Sequence, residues 1–246
     1  MLQAIKNKKA GRNFKGTEIQ WSSLFEGSED SLTSSVVGTL LYLPDTIIWT
    51  ILNQAVGYNL ISIDEPIEDF IFWPSWNSKY TANRNFVEPD VFIETPHYNI
   101  IIEAKKADGK GQDINQWKRE LIAHQNEYCN VGNKKDVIFI ALGGVSEDKK
   151  VPIEISSFTE DLLPEGYDRK FTITQLQWKT LLKTCLDQKY TLEYITDEYN
   201  QATLRILNDI IEYFEIHKVY RLKYFSDINY PNYKVKDYPL SSFTLI

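Results

Sequence analysis

The sequence predicts an α/β fold, a central mixed β-sheet flanked by helices. Three observations lead there. Hydrophobic periodicity changes along the chain in the order helix, several strands, helix, strand, then helices. The run Tyr98-Asn-Ile-Ile-Ile-Glu-Ala-Lys105 reads as a strand preceded by a turn. Asp136-Val-Ile-Phe-Ile-Ala-Leu142 is almost continuously apolar and ends in Gly143-Gly144, which suits a strand covered on both faces. No segment of the 246 residues reads as a linker, so one domain is expected.

The elements follow in order. Residues 1–20 are polar and basic and read as a loose arm, in which Lys6, Lys8, Lys9, Arg12 and Lys15 could meet nucleic acid or stay solvated. Ser28-Glu-Asp-Ser-Leu32 opens a helix to about Leu43, with Leu32, Val36, Leu40 and Leu43 as its apolar stripe. Pro44 breaks it, Asp45 or Thr46 caps the next helix, and Gly57 ends that one. Strands are expected at Leu60–Asp64 and Asp69–Trp73, then a polar, aromatic loop over 74–85. Two further strands are expected at about 87–94 and 98–105, joined by a turn at Thr95-Pro96-His97-Tyr98. A helix over about Gln112–Tyr128 has Ile114, Trp117, Leu121, His124 and Tyr128 on its apolar side. Gln112, Gln116, Arg119, Glu120 and Ala123 lie beside them. Residues 145–170 are loop-rich with a short strand near 151–155. A helix starts at Thr172 or Thr174 and runs to about Leu186, and a long amphipathic helix covers Asp197–His217 with Ala202, Ile206, Ile210, Tyr213 and Phe214 inward. The tail from Tyr220 has little periodicity.

The bulk numbers narrow the function. Hydrophobic residues make up 43% and charged residues 25%, ordinary for a chain that buries a core. A net charge of −7 argues against a broadly basic nucleic-acid coat but not against a local basic groove. Cys129 and Cys185 fit neither a disulfide framework nor a ligand spacing, so a reducing, cytoplasmic setting is expected. No apolar signal core follows Met1. The uncharged stretch 46–63 contains Asn53, Gln54, Gly57 and Asn59 and makes a poor membrane span. No nucleotide-binding motif accompanies Gly143-Gly144.

The chemistry concentrates in Pro89-Asp90 and Glu103-Ala104-Lys105. Alternation along a strand puts Ile101, Glu103 and Lys105 on one face and Ile100, Ile102 and Ala104 on the other. If the two strands form a hairpin, Asp90 lies level with Glu103 to Lys105. Two carboxylates can hold a hard divalent cation, and an ammonium beside them can orient water or neutralise developing charge. Glu103 and Lys105 could simply be an exposed ion pair on an edge strand, but Ile100 to Ile102 suggests a strand buried on both faces, where unpaired charge would be costly. His97, His124 and His217 are scattered and read as structural; Trp73, Trp76 and Tyr80 read as anchors more readily than as base-stacking groups.

Pro89-Asp90, twelve intervening residues and Glu103-Ala104-Lys105 resemble the PD-(D/E)xK motif of the restriction-endonuclease-like nuclease superfamily. The resemblance covers about residues 28–143 and implies a core in the order α-β-β-β-α-β, leaving 144–246 as a helical C-terminal extension. It implies a Mg²⁺-dependent deoxyribonuclease, with Mn²⁺ as a substitute and RNA still open as a substrate. Restriction, phage defence or repair are its settings. It implies Asp90, Glu103 and the Ala104 carbonyl as metal ligands and Lys105 as the group that assists the attacking water. Many members carry an acid on the preceding helix, for which Glu29 is the first choice and Asp30 the second. Many also carry a glutamine on the following helix, for which Gln116 stands ahead of Gln112. Acids in a first helical turn are also favoured by the macrodipole alone. Lys106 and Lys110 are the candidate phosphate contacts. A homodimer is compatible with two-strand cutting; no membrane or nucleotide cofactor is expected. The alternative is an inactive nuclease-fold module that binds DNA or protein.

Overall fold

The computed structural model describes residues 13–14, 17–18, 20–83, 85–106, 111–128, 135–154, 171–194 and 198–218, with backbone alone at 13–14, 17–18, 22, 150–154 and 198. The basic residues of the arm, Lys110, Cys129 and the tail from Tyr220 lie outside the described side chains. Two short strands, β1 (Asn13–Phe14) and β2 (Thr17–Glu18), pair antiparallel. Helices α1 (Trp21–Gly27), α2 (Glu29–Leu40) and α3 (Asp45–Val56) follow. Ser28 separates the first two, and its hydroxyl accepts the Ser31 N–H at 3.1 Å, an N-cap for α2. Leu32, Val36, Leu40 and Leu43 are all buried, but the helix stops at Leu40 rather than Leu43.

The strand expected at Leu60–Asp64 is absent; these residues form an irregular segment that ends in a turn at Ile63 and Asp64. The Asn53 side chain satisfies their backbone instead. Its oxygen accepts from Leu60 and Ile61 N–H at 2.9 and 3.2 Å, and its amide donates to Ile61 O at 2.8 Å. The expected loop over 74–85 contains β4 (Trp76–Asn77), which pairs with β5 (Phe86–Val87). Trp76 is a core anchor, packed edge-on against Phe92 and His124.

The main sheet takes β3 (Asp69–Phe72), β6 (Val91–Glu94), β7 (Tyr98–Ala104), β8 (Asp136–Leu142), β9 (Lys149–Glu154) and β10 (Phe171–Leu176). Its six strands run in the order β3-β6-β7-β8-β10-β9. β3, β6 and β7 are antiparallel neighbours, β7-β8 and β8-β10 are parallel, and β10-β9 is antiparallel. The parallel β7-β8 pair needs a crossover, which α4 (Ile114–Tyr128) supplies. Thr172 and Thr174 therefore sit in a strand, not in a helix cap. Phe171, Ile173 and Leu176 are buried from it, and the helix starts later, as α5 (Trp178–Glu193). Helix α6 is Glu198–Ile216.

The residues after 143 are thus more than a helical extension. They add two strands, and α5 and α6 help cover the core. One sheet face packs Val91, Ile93, Ile100, Ile102 and Ala104 against apolar residues of α2, α3, α5 and α6. The other packs Phe92, Ile101 and Phe139 against Trp117 and Leu121 of α4. Two inward assignments fail: Ile114 and Ala202 are exposed, and Leu207 and Ile211 extend the α6 stripe instead. Among the described residues no helix is long and apolar enough to cross a membrane.

Candidate active site

The β6-β7 hairpin brings the charged residues together. Val91 pairs with Ile102, so Asp90 stands one step beyond, level with Glu103. Its Oδ2 accepts the Ala104 N–H at 2.7 Å. The Trp73 N–H donates to Asp90 O at 3.0 Å, which fixes the same residue from the β3 side.

Glu103 is 2% exposed. Its face is the one that α4 covers, as the alternation with Ile101 predicts. Gln116 Nε2 donates to Glu103 Oε1 at 2.6 Å, and the Lys105 ammonium binds the same oxygen. Glu29, the first residue of α2, joins from another element: its Oε2 accepts the Lys106 N–H at 2.7 Å, and its Oε1 lies 3.5 Å from Lys105 Nζ. Asp30 is exposed and adjoins none of these groups. Among the two acids on α2 the structure brings in Glu29, and of the two glutamines Gln116 touches the carboxylate. Lys106 turns its ammonium to the Glu26 carbonyl at the end of α1, so it is not held out toward a phosphate.

Burial, then the charge of Glu103, push Asp90 up to about 7. Burial likewise raises Glu103, although Lys105, Glu120 and Gln116 pull it down. Burial tends to lower Lys105, but Glu103, Glu29 and Asp90 outweigh it and hold the ammonium charged. Glu120, which sequence reasoning placed only beside the apolar face, is 1% exposed. Burial and the neighbouring Glu103 charge push its carboxyl well above the usual carboxylate range, and its side chain interacts with that of Glu103. It is one helical turn beyond Gln116, and that i,i+4 spacing was the available signal. Trp178 was also missed: its indole N–H donates to Lys105 O at 2.7 Å across 73 residues.

Among the described residues no group of three or more His, Cys, Asp and Glu is arranged to hold a metal ion. The expected set of Glu29, Asp90 and Glu103 is therefore not pre-assembled, because the Lys105 ammonium stands on Glu103 and near Glu29. The donors themselves are hard carboxylate oxygens, and Mg²⁺ usually takes only one or two of these with waters and substrate phosphates. Glu103, Glu29 and Asp90 share one ammonium, and a cation would offset the negative charge that Lys105 leaves unbalanced. His97 stays with Glu65, its Nδ1 lying 3.0 Å from Glu65 Oε2, and His124 Nε2 accepts from Asn99 Nδ2 at 2.9 Å.

No family model, no curated protein and no solved structure matches this chain.

Proposed function

We propose that this protein is a metal-dependent nuclease with a restriction-endonuclease-like core, hydrolysing phosphodiester bonds in DNA. The observation that carries the reading is the convergence of Asp90, Glu103 and Lys105 at the adjoining ends of two central strands, where burial of two acids and an ammonium costs stability and calls for a use. With α3 and the short β4-β5 pair set aside as additions, the order α2-β3-β6-β7-α4-β8 and the parallel β7-β8 pair support the α-β-β-β-α-β core.

Asp90 and Glu103 would hold Mg²⁺ or Mn²⁺. When bound, the ion supplies a Lewis acid for a phosphate oxygen and lowers the pKa of its water. The protein's own residues do the rest. Gln116 fixes the orientation of the Glu103 carboxylate, and Glu120 of the same helix interacts with it too. Lys105, whose ammonium sits on Glu103 Oε1, would orient a water or meet developing negative charge. Glu29 is placed to retain that ammonium near the site.

The test is purified protein with linear and circular DNA, with and without Mg²⁺ or Mn²⁺, beside Glu103→Gln and Lys105→Ala. Metal-dependent cleavage lost in both variants is expected. Equal, absent cleavage by all three proteins on single-stranded DNA, double-stranded DNA and RNA would refute the enzymatic reading. The closed Glu103-Lys105 pair favours one rival, a module that binds without cutting. That rival predicts DNA binding unaffected by Glu103→Gln.

A further inference from the structure

Gln112 and the Gly143-Gly144 bend have no part in the chemistry described so far, yet they converge behind Lys105. Gln112 spends both ends of its amide. Nε2 donates to Glu103 O at 2.9 Å and to Gly143 O at 3.2 Å, while Oε1 accepts the Trp117 indole N–H at 2.7 Å. A half-buried glutamine just before a helix could have been satisfied by water. Here it joins the main chain of β7 to the end of β8, and Trp117 fixes which way the amide points.

The two glycines make room for this. Both lie in the left-handed region, at φ 66° and 64°. A Cβ on Gly143 would come within 2.1 Å of Lys105 O and 2.3 Å of Trp178 Nε1. A Cβ on Gly144 would come within 2.7 Å of Lys105 Cβ and 3.0 Å of Gln112 Cγ. The Lys105 main chain is then held on each side: its N–H donates to Leu142 O at 2.8 Å, its carbonyl takes the Trp178 indole, and the carbonyl two residues earlier takes Gln112. With the main chain held, the Lys105 side chain is set by its ammonium contacts with Glu103 and Glu29.

We propose that Gln112 is the positioning residue of this site: by tying Glu103 O to the Gly143-Gly144 bend it sets where the Lys105 ammonium stands. Its catalytic consequence rests on the nuclease reading; its structural consequence does not. Gln112 bonds main-chain carbonyls and the Trp117 indole and touches no charged side chain, so its loss removes none of the charges and alters only the frame that aims them.

The experiment compares wild type with Gln112→Ala and with Trp117→Phe, which removes the indole N–H that orients the amide along with part of the ring's packing. Amine acylation of the metal-free protein is followed by peptide mass spectrometry, with exposed Lys179 as the internal reference. The proposal expects Lys105 to label several-fold faster in both variants, relative to Lys179, with the Gln112→Ala thermal midpoint close to wild type. On DNA it expects kcat to fall by about ten-fold with KM little changed, since misplaced groups cost rate rather than binding. Unchanged Lys105 labelling in Gln112→Ala and Trp117→Phe would overturn the positioning role. Should Gln112→Ala fail to fold, Trp117→Phe decides alone. A wild-type protein that cleaves nothing overturns the nuclease reading instead, and the labelling still decides the positioning role.

Discussion

Asp90 Oδ2 accepts the main-chain N–H of Ala104 at 2.7 Å, so the first acid of the site is bonded to the strand that carries the second. This bond holds a carboxylate that burial and Glu103 would otherwise expel, and it is why Asp90 remains in place with its pKa raised to about 7.

Asp90→Asn should therefore separate stability from activity. The amide oxygen can still accept from Ala104, while the like-charge contact with Glu103 disappears. Metal-free protein at pH 8 is expected to gain about 1–2 kcal/mol in urea unfolding, with cleavage lost. A stability loss in this variant would contradict the electrostatic account.

Gly143→Ala is expected to be far more damaging than its size suggests. The new Cβ meets Lys105 O and Trp178 Nε1, neither of which can retreat without breaking their mutual bond. Together with the positive φ, a cost of roughly 3 kcal/mol or more is expected. Thermal unfolding of purified protein measures it, and a midpoint within a degree of wild type would show that the bend is not required.

Asn53→Ala tests a different kind of support. One side chain satisfies three backbone groups of the 60–61 segment, and removing it strands them. A loss of about 2–3 kcal/mol in urea unfolding is expected. A change below about 0.5 kcal/mol, the scale of ordinary surface substitutions, would mean that water replaces the amide.

His217 gives the fold a pH dependence. It is 1% exposed and packs on Phe25; burial, then the charge of Lys106, lower its pKa to about 4. Between the unfolded value near 6.5 and about 4 the unfolded chain binds a proton that the folded chain refuses. Stability should thus fall as pH drops through that window and level off below it, as far as this group is concerned. His217→Leu is expected to flatten that part of the profile; an unchanged slope would assign it to other groups.

The hairpin, its turn and the two faces of β7 were legible in the sequence because strand alternation and Thr95-Pro96 are local signals. So was the helix that carries Gln116. The strand at 171–176 was not, since Thr172 and Thr174 serve equally as β-branched strand residues and as helix caps, and only pairing with β8 decides between them. Glu120 was passed over because an acid next to an apolar stripe ordinarily faces water. Its burial depends on Glu103 and Gln116 already being inside. Trp178 could not be linked to Lys105 from spacing at all, as nothing local connects residues 73 positions apart.

That long reach of the Trp178 indole bears on when the protein is finished during synthesis. The 91–104 hairpin is local and can close as soon as it leaves the ribosome, but the Lys105 carbonyl waits for a partner made 73 residues later. A nascent chain halted between them would carry the acids and the lysine without the clamp that aims them. Full assembly of the site is in this way deferred until β10 and the start of α5 have joined the sheet.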